Sequence, residues 1–588
     1  MVGMEGKGGA QMPRSNDAVA GMLQEYSELL AISGRAPFKV RAYEKAARTV
    51  AGHPAEIAGM DAKALEKIPN VGSHIARKVR EFLDTGSVTE LVDLRSRVPE
   101  GLRTLLTVPG LGPKRAHQVY EELGITSIEG LLQALHGHVL RELRGWGAKS
   151  EENLAESLRD AHSAGGRVQL AFALGLATQL LDSISRIPQV RRAAYAGSLR
   201  RMRDTVGDID LLVAAQDSEP IMTAVVGLPL VARVLVHGPT RTSVITTTGM
   251  QVDVRVVDPS VWGAALMYFT GSKAHNIQVR ELAGRRGMKL SEYGLFDIET
   301  GRLVAAETEE VVYAELGMPW IPPTLREGGG EVEAACNEKL PEVLELNDIR
   351  GDLHTHTDLT DGVATLEDMV AAAKARGYEY YAITDHAPLL YMQRMTTAKA
   401  LAQRQRIREL ERRTGIQLLH GTELNIQPDG SLDWDDEFLS TFDIVVASVH
   451  SQFRQSRDEM TARVLRAIEH PCVNVIGHPT ARLIGTRAPI DIDLDAIFCA
   501  AARTGTALEI NASPDRLDLS GDLVRRARHF RVRFAVSTDA HAVPHLDNMR
   551  FGVATAQRGW ASPTEIINAY PLDELNPFLA KQRHGAPP

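Results

Sequence analysis

The chain has 588 residues, 44% of them hydrophobic, and its 66 Lys and Arg face 75 Asp and Glu, giving a formal net charge of −9. One hydrophobic core stops growing at roughly 250–300 residues, so this length predicts at least three domains. No apolar run is long enough to span a bilayer, which excludes a membrane protein. The three cysteines, Cys336, Cys472 and Cys499, lack the paired spacing of a zinc cluster and fit a reducing cytoplasm.

The first 165 residues predict a leader followed by a helical region. Residues 1–12 are rich in glycine and lack the hydrophobic stretch of a secretory signal, so we expect a flexible leader. From residue 13 onward, amphipathic helical patterns alternate with short glycine turns, and β-branched runs are almost absent. This zone is predicted to be all α, with a lyase-like domain over 13–90 and a second helical domain over 91–165.

One motif recurs in this zone, at 67–86 ("KIPNVGSHIARKVREFLDTG"), at 107–124 ("TVPGLGPKRAHQVYEELG") and more loosely at 142–158. Each copy sets a glycine hairpin before a helix, where exposed N–H groups bind anions and basic side chains add charge. A single copy would favour a simple tight turn. The repetition instead resembles the helix-hairpin-helix motif and implies a sequence-independent, salt-sensitive grip on the DNA backbone. The expected contacts are Gly72, Gly110, Gly112 and Lys114.

The second zone, 166–322, changes to strand-like text and predicts an α+β region. Within "GDIDLL", Asp208 and Asp210 stand at i and i+2 and point the same way in a strand, and Asp253 occurs in another alternating strand. Carboxylates this close cannot all ionise without a cation. Three of them would hold two divalent ions roughly 4 Å apart, for which Mg²⁺ is suited. A bare Asp-x-Asp pair would equally fit solvated charges at a strand end.

The Gly197-Ser198 turn before this pair resembles the nucleotidyltransferase palm of the polymerase beta superfamily. The stretches "YFTGSKAHNIQVR" (268–280) and "GMPWIPPTLRE" (317–327) resemble bacterial family X DNA polymerases. The resemblance implies a palm over 166–257 and a nascent base-pair-binding subdomain over 258–322. It also implies two Mg or Mn ions on Asp208, Asp210 and Asp253. The implied nucleotide contacts are Ser198, Arg201, Tyr268, Phe269, Gly271 and Asn276, with Arg280 on the template side.

In that family the first helical domain can also excise a 5′-deoxyribose phosphate through a lysine Schiff base. Lys78 lies at the matching position, and Lys39 and Tyr43 match residues near the phosphate. A nucleophilic lysine needs a lowered pKa, which a cationic, partly desolvated site supplies. His74 stands where other members have a second lysine, so an alternative stays open in which Lys78 only binds a 5′-phosphate.

A segment with a Gly328–Gly330 run, 323–345, predicts a linker, and 346–588 alternates apolar strands with helices. Seven strand candidates end in polar residues that are mostly of the metal-binding type, which in a parallel barrel gathers them at one mouth. The pattern resembles the PHP domain, a (β/α)7 barrel of metal-dependent phosphoesterases. It implies up to three Mn or Zn ions. The implied ligands are His354, His356, Asp361, His386, Glu423, His450, His478, Asp539 and His541.

The sequence therefore predicts a family X DNA polymerase that fills short gaps in DNA repair and whose PHP domain acts as a 3′–5′ exonuclease, with abasic-site processing also permitted. Expected partners are gapped or primer–template DNA and dNTPs. We expect a cytoplasmic, nucleoid-associated monomer with no membrane contact. Two alternatives remain, a nucleotidyltransferase acting on another substrate and a DNA-binding repair scaffold whose barrel is catalytically silent.

Overall fold

A computed structural model describes residues 167–389 and 395–580 without interruption. Before residue 167 it describes 15–32, 37–51, 57–85 and 113–125, with shorter stretches between 88 and 154. The predicted leader, 1–12, lies outside the described residues. The chain divides into two compact units, 1–163 with 356–376 and 540–546, and 164–355 with 377–539 and 547–588. Among the described helices, none has the length and hydrophobicity needed to cross a bilayer.

The described N-terminal elements are all helical, as predicted. They are α1 (Ser15–Ile32), α2 (Pro37–Ala51), α3 (Ala62–Leu65), α4 (Ser73–Thr85) and α5 (Pro113–Leu123). Their apolar faces share one core that includes Leu23, Val50 and Val79. In the first hairpin Asn70 adopts a φ of +64°, a conformation that asparagine tolerates better than most residues. The hairpin residue Gly72 then leads directly into α4.

The palm is a five-stranded sheet covered by helices. Its strand order is β2-β4-β7-β6-β5, and only β4 and β7 run parallel. The strands of this region are β1 (Val168–Gln169), β2 (Arg192–Tyr195), β3 (Thr205–Val206), β4 (Ile209–Ala214), β5 (Val231–His237), β6 (Arg241–Thr246) and β7 (Gln251–Val257). Its helices are α6 (Leu170–Ser185), α7 (Gly197–Arg200) and α8 (Glu219–Val226).

Alternation along β4 explains how a buried strand carries a carboxylate. Ile209, Leu211 and Val213 point into the palm core, whereas Leu212 packs with Trp262 in a separate cluster on the other face. Asp210 shares the second face, because it stands two residues before Leu212. The sequence pattern therefore builds a continuous hydrophobic layer on one side of the sheet and leaves the other side for the site.

A second subdomain, residues 262–336 and here named the thumb, follows the palm. It consists of α9 (Trp262–Thr270), α10 (Lys273–Arg285), α11 (Glu309–Glu315) and α12 (Glu331–Cys336), with an antiparallel sheet of β8 (Met288–Ser291), β9 (Gly294–Asp297) and β10 (Leu303–Ala305). Residues 323–345, predicted as a linker, contribute Leu325 and Val332 to the thumb core. Their charged side chains are also held, since the fully buried Glu331 accepts a hydrogen bond of 2.7 Å from His275. Glycines in this stretch therefore form turns within a packed segment.

The C-terminal region contains a parallel seven-stranded sheet whose strands are neighbours in chain order. They are β11 (Gly351–Asp352), β12 (Tyr380–Ile383), β13 (Gln417–Asn425), β14 (Ile444–Ser448), β15 (Val475–Ile476), β16 (Ala507–Asn511) and β17 (Phe534–Ser537). The Asp539 N–H donates to the His354 carbonyl at 3.0 Å, so the ends of the first and last strands approach each other. This is the predicted (β/α)7 architecture, nearly closed into a barrel.

Helices connect the strands and cover the barrel. They are α13 (Leu366–Ala375), α14 (Thr397–Thr414), α15 (Asp436–Leu439), α16 (Arg457–Glu469), α17 (Leu494–Thr504), α18 (Gly521–Arg528), α19 (Met549–Arg558) and α20 (Leu572–Ala580). Two of the barrel's side chains, Leu517 and Phe551 of α19, belong to the palm core. The palm and the barrel thus share a hydrophobic layer within the second unit.

The close packing of α9 against the start of α11 depends on Gly263. A Cβ atom at this position would lie within 2.4 Å of the Thr308 backbone, so Gly263→Ala is expected to destabilise the protein by about 1–3 kcal/mol. Gly284 in α10 has nothing within 4 Å of such an atom, and Gly284→Ala is expected to stabilise by about 0.5–1 kcal/mol. Urea denaturation of both variants checks the pair, and equal effects would contradict the packing described here.

Two candidate active sites

The three palm aspartates meet at one end of the parallel pair β4 and β7. Asp210 and Asp253 are directly opposite each other in the register, and one oxygen of each lies within 4.8 Å of an oxygen of Asp208. Asp208 itself stands one residue before β4, so its approach depends on the bend at Gly207 and Asp208 rather than on strand alternation. The expectation that both members of the Asp-x-Asp pair lie within one strand therefore applies to Asp210 alone.

The surroundings of Asp210 and Asp253 shift their pKa values in opposite directions. Burial, together with the neighbouring charges of Asp208 and Asp253, raises the pKa of Asp210 to about 7. The pKa of Asp253 is instead lowered, because hydrogen bonds from Ser243, Gln251 and Arg241 outweigh the effect of its burial. Asp253 is therefore a stable anion at neutral pH, whereas Asp210 needs a nearby cation to ionise fully.

A glycine brings the backbone of α7 against this cluster. Gly197 has a φ of +59°, and a Cβ atom built there would lie 2.2 Å from Asp210 Oδ2. Only glycine fits this conformation at this distance. Ser198 follows at once, so the predicted triphosphate contact stands beside the aspartates. Arg200 turns away and forms two hydrogen bonds with Glu309, at 2.7 and 2.8 Å.

The predicted sugar and base contacts lie along α9 and α10. Tyr268 and Phe269 are in edge-to-face contact with ring centroids 5.2 Å apart. Gly271 is buried with a φ of +66°. The Asn276 amide donates to the Tyr268 carbonyl at 2.7 Å, and Arg280 is exposed one turn later. Tyr268, Asn276 and Arg280 line a common pocket.

The side chain of Arg201 contacts two groups of the thumb. Its Nε lies 3.1 Å from Glu327 Oε1, and its Nη1 donates to the Thr270 carbonyl. The side chain is 13% exposed. Sequence reasoning named Arg201 as a triphosphate contact but not Glu327, whose position 126 residues later carries no local signal.

The second site is centred on Glu423 in β13. This carboxylate is 1% exposed and is surrounded by four imidazoles, each from a different strand end: His354, His386, His450 and His478. The N–O distances are 3.4, 2.9, 3.1 and 3.1 Å in that order. Although burial opposes ionisation, the neighbouring imidazoles, His450 foremost, hold the pKa of Glu423 well below its usual range. Asp539 completes this group, 3.7 Å from His354 Nε2.

Two further side chains orient the ligands, and the first of them, Glu509, was missed by sequence reasoning. Glu509 is fully buried in β16, where it accepts a hydrogen bond of 2.7 Å from His354 Nδ1 and one of 2.6 Å from the His478 N–H. Asn511 donates to Asp539 Oδ2 at 3.2 Å. Such hydrogen bonds fix ring orientation and raise ligand basicity. The available signal was a carboxylate inside the apolar strand "TALEINA".

The remaining predicted ligands, His356, Asp361 and His541, also lie close to one another. Their ligand atoms lie within 4.8 Å of one another, and the rings of His356 and His541 are stacked with centroids 4.3 Å apart. His541 Nε2 lies 3.2 Å from Asp361 Oδ2. His356 is buried, while Asp361 and His541 are about 30% exposed. All nine predicted ligands therefore stand in one of these two groups.

In the N-terminal domain Lys78 is ion-paired with Glu90 at 2.8 Å and is 12% exposed. Tyr43, predicted to contact a phosphate, is buried and stacks on Tyr26 with centroids 4.4 Å apart. Lys39 and Gly72 are exposed. Gly110, Gly112 and the side chain of Lys114 lie outside the described residues.

The donor sets fit divalent metals. The palm offers only carboxylate oxygens, which suit hard cations, and the barrel offers imidazoles with carboxylates, which suit transition metals. Fold and sites together define a nucleotidyltransferase palm and a parallel barrel with a histidine-rich ligand cluster, preceded in the sequence by a helical region.

Comparisons with known proteins identify the family. Family models match a helix-hairpin-helix domain at 14–88, a SAM-like helix-hairpin-helix tandem at 102–160, the DNA polymerase beta thumb at 265–327 and the PHP domain at 352–513. The chain is 36% identical to the Bacillus subtilis DNA polymerase/3′-5′ exonuclease PolX over 95% of its own length and 98% of that protein. It belongs to the family X DNA polymerases that carry a C-terminal PHP domain, and members of this family use divalent metals.

The barrel also has relatives that lack a palm. It is 30% identical over 244 residues to a probable phosphatase of Shewanella sp. (strain MR-4), covering 40% of this chain and 92% of that protein. A probable phosphatase of Thermoanaerobacter sp. (strain X514) is 30% identical over 203 residues, which is 78% of its length.

The raised pKa of Asp210 makes a prediction for the metal-free protein. The folded-state pKa of Asp210, about 7, exceeds the ordinary value of 3.8. The contribution of this side chain to stability is therefore fully present below about pH 3.8 and is lost as pH rises through 7. Asp210→Asn removes this loss and is expected to stabilise the palm by up to about 4 kcal/mol at pH 8. Melting temperatures in EDTA at pH 8 and pH 4 check it, with the exposed Asp182→Asn as control. A pH-independent effect would contradict the assignment.

Proposed function

We propose that this protein is a DNA polymerase that fills short gaps during DNA repair and that its barrel hydrolyses phosphodiesters as a 3′–5′ exonuclease. The observation that carries the proposal is the presence on one chain of two separate ligand clusters, three aspartates in the palm and a histidine-rich group at the barrel strand ends. The printed activity of the Bacillus subtilis relative supports both parts. We also propose that this protein acts as a monomer.

In synthesis the primer 3′-hydroxyl attacks the α-phosphate of a dNTP, the bond between the α- and β-phosphates breaks, and pyrophosphate leaves. Mg or Mn ions held by the three aspartates would activate the attacking oxygen and neutralise charge on the triphosphate. Asp253, kept anionic by its hydrogen bonds, helps to remove the proton of the hydroxyl. Ser198 and Arg201 bind the triphosphate. Tyr268, Phe269 and Gly271 line the sugar pocket.

The base pair and the duplex are held further along the chain. Asn276 reaches the base, and Arg280, exposed one turn later, contacts the template side. The helix-hairpin-helix regions grip the DNA backbone through N–H groups and basic side chains, with Lys39 and Gly72 on the accessible surface. Because these contacts involve phosphates, binding is independent of sequence and weakens with salt.

In the barrel, Mn or Zn ions would supply an activated water and stabilise charge on the phosphodiester. His354, Glu423, His450, His478 and Asp539 are proposed to hold two ions, and Asp361, His386 and His541 a third, with His356 at the first. Arg516 adds a cation that the sequence analysis missed. Its Nε lies 3.6 Å from Asp539 Oδ2 and its side chain is 18% exposed, a position from which it can bind a phosphate oxygen.

The two activities should separate by mutation. Asp208→Ala is expected to lower dNTP incorporation on one-nucleotide gapped DNA at least about 100-fold, because a metal ligand is lost, and to spare the nuclease. His354→Ala is expected to do the reverse. Primer extension and 3′-end degradation with Mg or Mn measure both, and the exposed His529→Ala serves as control. Loss of both activities in each folded variant would refute a two-site enzyme.

Lyase activity is a further candidate, favoured by the shielded position of Lys78. Its amine is engaged by Glu90 at 2.8 Å, so the DNA 5′ end must displace this contact before the amine can attack the sugar. Glu90→Gln is expected to increase, and Lys78→Ala to abolish, the adduct trapped by borohydride on DNA with an abasic 5′ end. If no adduct forms, or if it survives Lys78→Ala, Lys78 serves only to bind phosphate.

A further inference from the structure

Four charged groups meet where the thumb, the palm and the barrel adjoin in the second unit. Glu327 Oε1 lies 3.1 Å from Arg201 Nε and 2.9 Å from Arg558 Nη1, and Glu327 Oε2 lies 3.6 Å from Arg203. Arg201 and Arg203 belong to the palm loop after α7, while Arg558 ends the barrel helix α19. One carboxylate oxygen is therefore shared between the nucleotide-binding arginine and the barrel.

Glu327 competes with the nucleotide for Arg201. Two of the five N–H donors of Arg201 are engaged, because Nε faces the Glu327 carboxylate and Nη1 bonds to the Thr270 carbonyl. Both partners of the Arg201–Glu327 pair are largely buried, at 13% and 28% exposure, so their attraction is only partly screened by water. A triphosphate bound by Arg201 would share this guanidinium with Glu327, and repulsion between the two anions opposes nucleotide binding.

Arg558 is placed to make that exchange favourable. It is 5% exposed and binds both sides of the pair, since its Nη1 also donates to the Arg201 carbonyl at 3.2 Å. When Arg201 turns to the triphosphate, Arg558 at 2.9 Å remains the nearest counter-charge of the partly buried Glu327, with Arg203 farther away at 3.6 Å, and this limits the cost of separating Glu327 from Arg201. In its absence Glu327 would hold Arg201 more tightly.

We infer that the barrel sets the nucleotide affinity of the polymerase site through Arg558, a positioning residue that acts on Arg201 by way of Glu327. The inference rests on the proposed role of Arg201 in binding the triphosphate. It gives the barrel a part in synthesis that is independent of its own metal-binding residues.

Substitutions of Glu327 and Arg558 are expected to shift the KM for dNTP in opposite directions. Glu327→Gln frees Arg201 and is expected to lower the KM for dNTP, whereas Arg558→Met leaves Glu327 to Arg201 and is expected to raise it, each about tenfold. The kcat should stay within about twofold, because the aspartates are unchanged. If Arg558 acts through Glu327, Arg558→Met has little further effect in the Glu327→Gln background.

The test uses the full chain on one-nucleotide gapped DNA at varied dNTP concentration. Arg558→Lys is expected to restore most of the affinity, and Arg550→Met, on the exposed side of the same helix, controls for loss of a positive charge. The 3′–5′ nuclease rate reports on folding of the barrel. Should Arg558→Met fold poorly, the lowered KM of Glu327→Gln remains decisive.

Opposite shifts in KM with a non-additive double variant support the inference. Unchanged KM values, shifts in the same direction, additive effects, or an equal effect of Arg550→Met overturn it. These outcomes presuppose incorporation by the wild-type protein, whose absence would instead refute the proposed polymerase function.

Discussion

Burial of carboxylates is the constraint around which both sites are arranged. In the palm the parallel pairing of β4 and β7 sets Asp210 opposite Asp253, and the protein supplies too little positive charge for Asp210 to ionise readily at neutral pH. In the barrel a single carboxylate, Glu423, is buried among four imidazoles, and these neighbours hold its pKa well below its usual range. The palm therefore depends on external cations to bring its carboxylates together, whereas Glu423 is stabilised by side chains of the protein.

Much of this could be predicted from the sequence because the informative residues stand in regular patterns. Polar residues that follow short apolar strands share one mouth of a parallel barrel, so a cluster of ligand-type residues could be predicted from position, and the resemblance to the PHP domain then named the individual ligands. The Asp-x-Asp pair was recognisable because its i, i+2 spacing follows the Gly197-Ser198 turn at a fixed distance. The structure nonetheless places Asp208 outside β4, because hydrogen bonding, and not the sequence pattern, decides where a strand begins.

What could not be predicted are partnerships between distant parts of the chain. Nothing near Tyr43 shows that it stacks on Tyr26, and nothing near Glu327 shows that it meets Arg201 and Arg558. The Gly328–Gly330 run suggested a linker because composition reports backbone freedom, whereas packing of Leu325 and Val332 into the thumb depends on residues from other elements. Side-chain charges that serve a site from outside its motif leave a weak signature in a single sequence.

The hydrophobic layer shared by palm and barrel has a consequence for any attempt to produce the barrel by itself. A probable phosphatase that is 30% identical to this chain over 244 residues is spanned by the match over 92% of its length, so a protein of about this size exists without the remainder of the chain. In a barrel cut out of this chain, Leu517 and Phe551 would lose the palm residues that cover them and would meet water, where large apolar side chains are unfavourable. The excised barrel would therefore carry an adhesive apolar patch, and its solubility would depend on replacing these two side chains with polar ones.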